Sequence, residues 1–199
     1  MKDAIVHLKR QDPVLSEIID RVGEYRIQFR DPAFETLVRS IVYQQLSGRV
    51  ASVIFGRLEA AVGKITPASI LKLRPARMRK LGLSTQKTAY IRDLARHTRD
   101  GSVVFDRLPG LSDEGVIEHL TQVKGIGVWT AHMFLMFALQ RHDILPTGDL
   151  GIRTAMRKAY GLKELPKPAE MEEIAGRWRP YCSVASWYLW RSLESEAAI

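Results

Sequence analysis

The sequence contains very little cysteine and no long hydrophobic run. Cys182 is the single cysteine among 199 residues, which excludes an internal disulfide framework and a four-cysteine zinc site or iron–sulfur cluster within one chain. The longest apolar run, Met133 to Leu139, is far shorter than the roughly 20 residues needed to cross a bilayer. The N-terminal residues lack the apolar core of a secretory signal peptide. We therefore expect a reduced intracellular protein, cytoplasmic or nuclear, with no membrane partner.

Acidic residues are fewer than basic ones. The chain has 30 Lys and Arg against 22 Asp and Glu, which gives a formal net charge of +8. That excess favours a polyanionic partner, with nucleic acid the leading candidate. Charge alone fits a merely soluble basic protein equally well. The basic residues are spread along the chain, with a denser run from Lys72 to Lys80, and they do not form a tail.

Sequence patterns typical of β-strands are almost absent. The one strong β-run, Val103 to Phe105, is too short for a sheet. Elsewhere apolar residues recur at three- and four-residue steps, as they do from Phe34 to Leu46. Four X-Pro pairs predict helix starts: Asp12-Pro13, Asp31-Pro32, Thr66-Pro67 and Arg74-Pro75. We predict an all-α protein with about ten helices.

The helices are expected to form a single unit, residues 1–199, made of two helical lobes. No linker rich in Pro, Ser or Gly divides the chain, and the most loop-like stretches follow residue 140. We assign residues 33–139, approximately, to the first lobe. The second lobe then contains residues 1–32 together with 140–199.

The stretch "VKGIGVWTA", residues 123–131, predicts a hairpin between helices 114–122 and 128–139. A Gly-x-Gly turn allows positive φ and close backbone approach. The exposed amides at the start of the second helix, together with the helix dipole, favour a bound phosphate. Lys124 and the hydroxyl of Thr130 would add to that contact. An ordinary helix–turn–helix corner explains the two glycines equally well.

The helix that follows is apolar on nearly every face, so we predict that it is the most buried helix of the protein. Trp129, Met133 and Met136 share one of its faces, and His132 borders them. Such a stripe is by default core packing.

Asp149 lies between two glycines, immediately before the helix-like run 150–160. The structural interpretation is an N-cap, a position that Asp fills well. The functional interpretation is a carboxylate that the helix N-terminus keeps ionised, so that the carboxylate can face a developing positive charge. The two are compatible. Gly148 and Gly151 are interpreted as leaving room for a large ligand.

Four ordered blocks of the sequence resemble the helix-hairpin-helix (HhH-GPD) DNA glycosylase superfamily. The hairpin and aspartate block "LTQVKGIGVWTAHMFLMFAL…DILPTGDLGIR" has the spacing of the alkylated-base branch, which includes bacterial 3-methyladenine DNA glycosylase II and its yeast relatives. "FETLVRSIVYQQLSGRVASVIF" resembles that branch's early helices, and "LGLSTQKTAYIRDLA" its wedge loop. "RPYCSVASWYLW" resembles its closing helix.

The resemblance implies an architecture and a reaction. The two helical lobes would flank a DNA-binding cleft, and the extra N-terminal β-domain of the bacterial enzyme has no counterpart here. A monomeric enzyme would bind double-stranded DNA, flip an alkylated base out of the stack and hydrolyse its N-glycosidic bond. Asp149 matches the catalytic aspartate, which stabilises the oxocarbenium-like sugar.

The resemblance also assigns roles to individual residues. The base pocket would contain Trp129, His132, Met133, Leu150 and Trp190. The DNA backbone would be bound at Lys124, Gly125, Gly127 and Thr130. Minor-groove or wedge residues would be Gln44, Gln45, Ser47, Ser84 and Thr85. A monovalent cation could be held by the backbone of Thr121, Val123 and Ile126. No cofactor is expected to be required for catalysis.

Several alternatives stay open at this stage. Bifunctional relatives carry a nucleophilic lysine where this chain has Trp129, so we predict no lyase activity. Met133 and Leu150 stand where some relatives have tyrosines, which leaves the lesion unassigned between alkylated, deaminated and oxidised bases. A non-catalytic DNA-binding module is the remaining alternative, although such a module has no need of Asp149. Trp190 fits simple helix packing about as well as stacking on a base.

Overall fold

The computed structural model describes the backbone of residues 1–196 and the side chains of residues 1–194. Within that range the chain forms twelve α-helices and two short 3₁₀ helices, and it contains no strand. The predicted all-α class is therefore confirmed. The twelve α-helices exceed the predicted number of about ten, and the helix starts predicted at Thr66 and Arg74 are confirmed. Val103, in the predicted β-run, is buried just before a 3₁₀ helix rather than in a strand.

The described chain divides into two compact units. One contains residues 1–29 and the residues from 140 onward, and the other contains residues 30–139. The first unit has helices α1 Lys2–Gln11, α2 Pro13–Val22, α10 Leu150–Ala159, α11 Pro168–Ala175 and α12 Cys182–Glu196, with a 3₁₀ helix Gly176–Trp178. None of the helices in the described part of the chain is long and apolar enough to span a membrane.

The second unit contains the remaining elements in chain order. They are α3 Phe34–Tyr43, α4 Gly48–Val62, α5 Pro67–Lys72, α6 Pro75–Lys80, α7 Thr85–Arg99, a 3₁₀ helix Phe105–Gly110, α8 Asp113–Thr121 and α9 Val128–Phe137. Helix α7 packs against both α3 and α5, and α8 packs against α9. The fully buried side chains of Leu37, Ile41, Ile91 and Leu94 form part of its core.

Side-chain caps set several of the helix starts. The carboxylate of Asp12 accepts the Leu15 backbone N–H at the start of α2, and Thr66 and Ser69 form a capping box at α5. The prediction that Asp31-Pro32 opens a helix is wrong. Helix α3 begins two residues later, because the Asp31 carbonyl instead accepts the backbone N–H of Ala33 and the hydroxyl of Thr36.

The core of the first unit contains a buried carboxylate. Asp12 is fully buried, and its Oδ2 accepts hydrogen bonds from the Tyr160 hydroxyl at 2.6 Å and the Trp178 indole N–H at 2.8 Å. Buried polar groups need such partners, because each unmet one is costly. Around this network α12 packs against α2 and α10. The packing of α10 against α12 places the candidate catalytic residue.

Candidate active site and DNA-binding hairpin

Asp149 is the N-cap of α10, as predicted. Its Oδ1 atom accepts a hydrogen bond from the backbone N–H of Ile152 at 2.8 Å. The side chain is half-buried. The N-terminus of a helix carries partial positive charge, so the carboxylate lies in a favourable field.

The same oxygen of Asp149 accepts a second hydrogen bond. The indole N–H of Trp190, on α12, donates to Oδ1 at 2.9 Å. A carboxylate with one oxygen held by two N–H donors has a defined orientation. The sequence indicated Trp190 only as a pocket or packing residue, and no local pattern indicated this contact.

Gly151 makes room for Trp190. A Cβ atom at this position would lie 3.0 Å from Oδ1 of Asp149 and 3.1 Å from the nearest indole carbon of Trp190. The interpretation that Gly151 leaves space for a large ligand is therefore wrong, because the indole fills that space. Gly148 differs, since a Cβ there would meet no atom within 4 Å.

The predicted hairpin joins α8 to α9 through a tight turn. The Ile126 backbone N–H donates to the Val123 carbonyl at 3.1 Å. Gly125 has φ of +85°, and a Cβ on it would lie 2.0 Å from the ring of Tyr90. Gly125 is therefore required both by its backbone conformation and by the close approach of an aromatic ring.

Gly127 serves a different purpose from Gly125. It is the N-cap of α9 with φ of −95°, which any residue can adopt, and a Cβ on it would meet nothing within 4 Å. Nothing in the described structure requires a glycine at this position. The open space lies at the N-terminus of α9, where an approaching anion would be bound by backbone N–H groups.

The hairpin is held by side chains from helix α7 and from the turn after α3. The Lys124 backbone N–H donates to Oδ2 of Asp93 at 3.0 Å, while the Lys124 side chain is exposed. The side-chain Nε2 of Gln44 donates to the Gly125 carbonyl at 2.9 Å. Gln44 thus contacts the hairpin directly, although the resemblance implied only a minor-groove role.

A cavity of about 520 Å³ lies within residues 30–139. Its lining includes five of the predicted site residues, Gln44, Gln45, Trp129, Thr130 and Met133. The structure therefore brings the turn after α3 together with the first turns of α9. His132 does not line this cavity, and Leu150 and Trp190 belong to the other unit.

The prediction that α9 is the most buried helix is wrong, because its first turn is exposed while α12 is buried continuously from Cys182 to Leu189. Val128 is 52% exposed and Trp129 is 45% exposed, whereas Met136 is buried in the core. The first turn is exposed because it begins at the hairpin. Thr130 is only 4% exposed and lines the cavity, so it is not on the open surface beside Lys124.

Arg39 lines the same cavity and was not identified from the sequence. Its guanidinium lies 4.3 Å from the ring centroid of Tyr43 and 5.0 Å from that of Phe55. It also donates to the Tyr43 hydroxyl. The four-residue spacing of Arg39 and Tyr43 on one helix was the available signal.

The other predicted residues lie at ends of helices or in half-buried positions. Ser84 caps α7 by accepting the Lys87 backbone N–H at 3.1 Å, Thr85 is exposed, and Ser47 is the exposed N-cap residue of α4. Leu150 is 64% exposed. Burial lowers the pKa of His132 below its ordinary value, and the charge of Asp113 acts in the opposite direction.

Side chains suited to a multi-ligand metal site are not grouped in the described part of the chain. No cluster of three or more His, Cys, Asp or Glu residues there could hold a metal ion. Cys182 is buried, and burial raises the pKa of its thiol. The backbone carbonyls of Thr121, Val123 and Ile126 offer a different kind of ligand set. Thr121 is the last residue of α8, where helix carbonyls lack intrahelical partners.

The sequence and fold are similar to those of known proteins. The chain is 32% identical over 197 residues to DNA-3-methyladenine glycosylase 1 of Schizosaccharomyces pombe, covering 95% of this chain and 86% of that protein. A solved structure of the Schizosaccharomyces pombe 3-methyladenine DNA glycosylase in complex with abasic DNA has a TM-score of 0.84 and 33% identity, and 95% of each chain is covered. The structure of a Bacillus halodurans DNA-3-methyladenine glycosidase has a TM-score of 0.87 and 37% identity, covering 98% of this chain and 91% of that one.

Residues 38–180 also match the family described as the HhH-GPD superfamily base excision DNA repair protein. That match spans well over half of the chain, and it includes both the hairpin and Asp149. The chain is a member of the HhH-GPD superfamily of base excision DNA repair proteins.

Proposed function

We propose that this protein is a monofunctional DNA glycosylase that hydrolyses the N-glycosidic bond of alkylated bases in double-stranded DNA. The observation that carries the proposal is the Asp149 carboxylate, held at the N-terminus of α10 by Ile152 and Trp190. Membership of a base excision repair family, and relatives named for 3-methyladenine, support the same reaction class.

The proposed reaction uses the negative charge of Asp149. The glycosidic bond breaks, its electron pair leaves with the base, and positive charge develops on the sugar. A fixed carboxylate stabilises that charge without having to reorganise. Water then bonds to C1′ and loses its proton to the carboxylate or to solvent. An alkylated purine that carries positive charge leaves as a neutral base, so the reaction needs little acid assistance.

The base is proposed to contact an aromatic face. Trp129 is 45% exposed and lines the cavity with Met133. An electron-rich indole attracts a cationic base through its ring quadrupole. His132, whose pKa is lowered by burial, adds little opposing charge at neutral pH.

DNA binding is proposed to centre on the hairpin. The open position at Gly127 lets a phosphate approach the N-terminus of α9, and the exposed side chain of Lys124 adds positive charge. A monovalent cation on the carbonyls of Thr121, Val123 and Ile126 would add positive charge on the DNA side of the hairpin. Affinity should fall steeply as salt rises, because phosphate contacts release counterions. A flat salt response would contradict the DNA assignment.

We further propose that the enzyme lacks lyase activity, requires no cofactor for catalysis and acts as a monomer. The position of the lysine nucleophile of bifunctional relatives holds Trp129, which has no amine.

The proposed function is tested with a panel of duplexes, each with one defined alkylated, deaminated or oxidised base. Base release from alkylated duplexes without chain cleavage or borohydride trapping is expected, with unchanged rates in a chelator. Release only from another lesion, or a trapped adduct, would contradict the assignment.

A further inference from the structure

Lys87 connects two segments that are far apart in sequence. Its ammonium donates to the Val42 carbonyl at 2.7 Å and to the Gln44 carbonyl at 2.6 Å, although these residues lie 45 and 43 positions away. The last carbonyls of a helix have no intrahelical partner, and a cation there is favoured by the helix dipole. Lys87 therefore caps the C-terminus of α3 from α7.

The turn after α3 has an unusual conformation that this cap supports. Gln45 has φ of +56°, a region in which non-glycine residues are held only when the surroundings determine it. Lys87 fixes the carbonyl of Gln44, which is the acceptor immediately before Gln45. Partial burial lowers the pKa of Lys87, and the two carbonyl acceptors compensate the ammonium for the water it loses.

Gln44 transmits this contact to the hairpin. Its backbone carbonyl accepts from Lys87, while its side-chain Nε2 donates to the Gly125 carbonyl. The chain of contacts therefore runs from α7, through the turn after α3, to the hairpin. All of these residues belong to the unit 30–139.

Two further side chains of α7 contact the hairpin directly. Tyr90 lies against Gly125, with ring atoms only 2.0 Å from where a Cβ would be, and Asp93 accepts the Lys124 backbone N–H at 3.0 Å. Lys87, Tyr90 and Asp93 follow one another at three-residue steps, so they share one side of the helix. We call this set the α7 face.

We infer that the α7 face is a positioning device which sets the turn 44–47 and the hairpin 124–127 in one fixed arrangement, with Lys87 as its central positioning residue. The inference rests on the proposed function, in which the hairpin binds phosphate and the turn contacts the minor groove. Both segments must meet one DNA duplex together, so a change in their relative placement weakens the binding of DNA. In the proposed complex with DNA, Lys87 itself contacts neither the base nor Asp149.

The experiment replaces the ammonium and keeps the aliphatic chain. Lys87→Met is compared with Lys64→Met, an exposed lysine of the same unit, so that both variants lose one positive charge. Affinity for abasic-site duplex is measured together with amide hydrogen exchange of the full chain. Lys87→Met is expected to bind about fivefold more weakly or worse, and Lys87→Arg is expected to recover part of the loss.

Hydrogen exchange distinguishes positioning from general destabilisation. The amides of Lys124 and Ile126 are expected to exchange faster in Lys87→Met, while those of α4 and α10 keep their protection. Gln44→Ala breaks the next contact in the chain and should add little to the effect of Lys87→Met, because both act on one pathway. As a single variant, Gln44→Ala is expected to speed exchange of the Lys124 and Ile126 amides, and it therefore tests the inference even where Lys87→Met is poorly folded.

The outcomes separate this inference from the proposed function. Equal affinity and equal exchange in Lys87→Met and Lys64→Met would overturn the inference, and so would faster exchange throughout residues 30–139. Failure of the unmodified protein to release any base would instead contradict the glycosylase proposal. In that case the exchange of the hairpin amides still decides whether Lys87 positions the hairpin.

Discussion

Trp190 and Asp149 are joined by a hydrogen bond of 2.9 Å from the indole N–H to Oδ1, although they are 41 residues apart in sequence. The Ile152 backbone N–H donates to the same oxygen at 2.8 Å. Gly151, which lies between Asp149 and Ile152 in the sequence, has no side chain that would displace the indole. Three elements of the sequence therefore converge on the orientation of one carboxylate.

Removing the indole N–H should slow base release. Trp190→Phe keeps an aromatic ring at this position but removes the indole N–H that donates to Oδ1 of Asp149. A hydrogen bond to a charged group contributes about 1.5–3 kcal/mol, so we expect a fall of about tenfold in the single-turnover excision rate. Thermal unfolding of the variant serves as the control. A role in stacking alone predicts an almost unchanged rate, so that result would contradict the positioning of Asp149 by Trp190.

The two hairpin glycines should respond differently to substitution. Gly125→Ala places a methyl group into the Tyr90 ring at positive φ, and we expect a loss of about 1–3 kcal/mol in the free energy of unfolding. Gly127→Ala should change stability by less than about 0.5 kcal/mol yet weaken DNA binding, because the methyl group occupies the phosphate approach. Chemical denaturation and fluorescence anisotropy measure the two effects. Unchanged DNA affinity in Gly127→Ala would contradict the phosphate site.

His132 should make the protein less stable in mild acid. Burial lowers its pKa in the folded state, so the unfolded chain, with a pKa of about 6.5, binds the proton more readily. The free energy of unfolding should therefore fall as pH drops below about 6.5 towards the folded-state pKa. His132→Gln should lose this component, which thermal unfolding between neutral and mildly acidic pH would detect. Identical pH profiles of stability for the unmodified protein and His132→Gln would contradict the lowered pKa of His132.

Local signals predicted the fold class and several helix starts correctly. The Asp12, Thr66 and Asp149 caps act within three residues of themselves, so a short stretch of sequence contains all the necessary information. Asp31-Pro32 failed because the backbone carbonyl of Asp31 accepts the bonds of a turn before the helix. An X-Pro pair predicts a bend in the chain, but it does not specify which backbone carbonyl accepts the hydrogen bonds at that bend.

Contacts between distant segments could not be predicted in this way. The hydrogen bonds from Lys87 to Gln44 and from Trp190 to Asp149 join residues more than 40 positions apart. The packing of the helices determines which residues form these hydrogen bonds. The residue pattern within either segment does not indicate how the helices pack. The buried contacts of Asp12 with Tyr160 and Trp178 follow the same logic.

In the proposed reaction the Asp149 carboxylate drives base release. Asp149→Asn keeps a side-chain oxygen for the Ile152 N–H but removes the negative charge. We expect the single-turnover release of 3-methyladenine from duplex DNA to fall on the order of 10³-fold, while affinity for abasic-site DNA stays within about threefold. Undiminished release by Asp149→Asn would contradict the proposed role of the Asp149 carboxylate in base release.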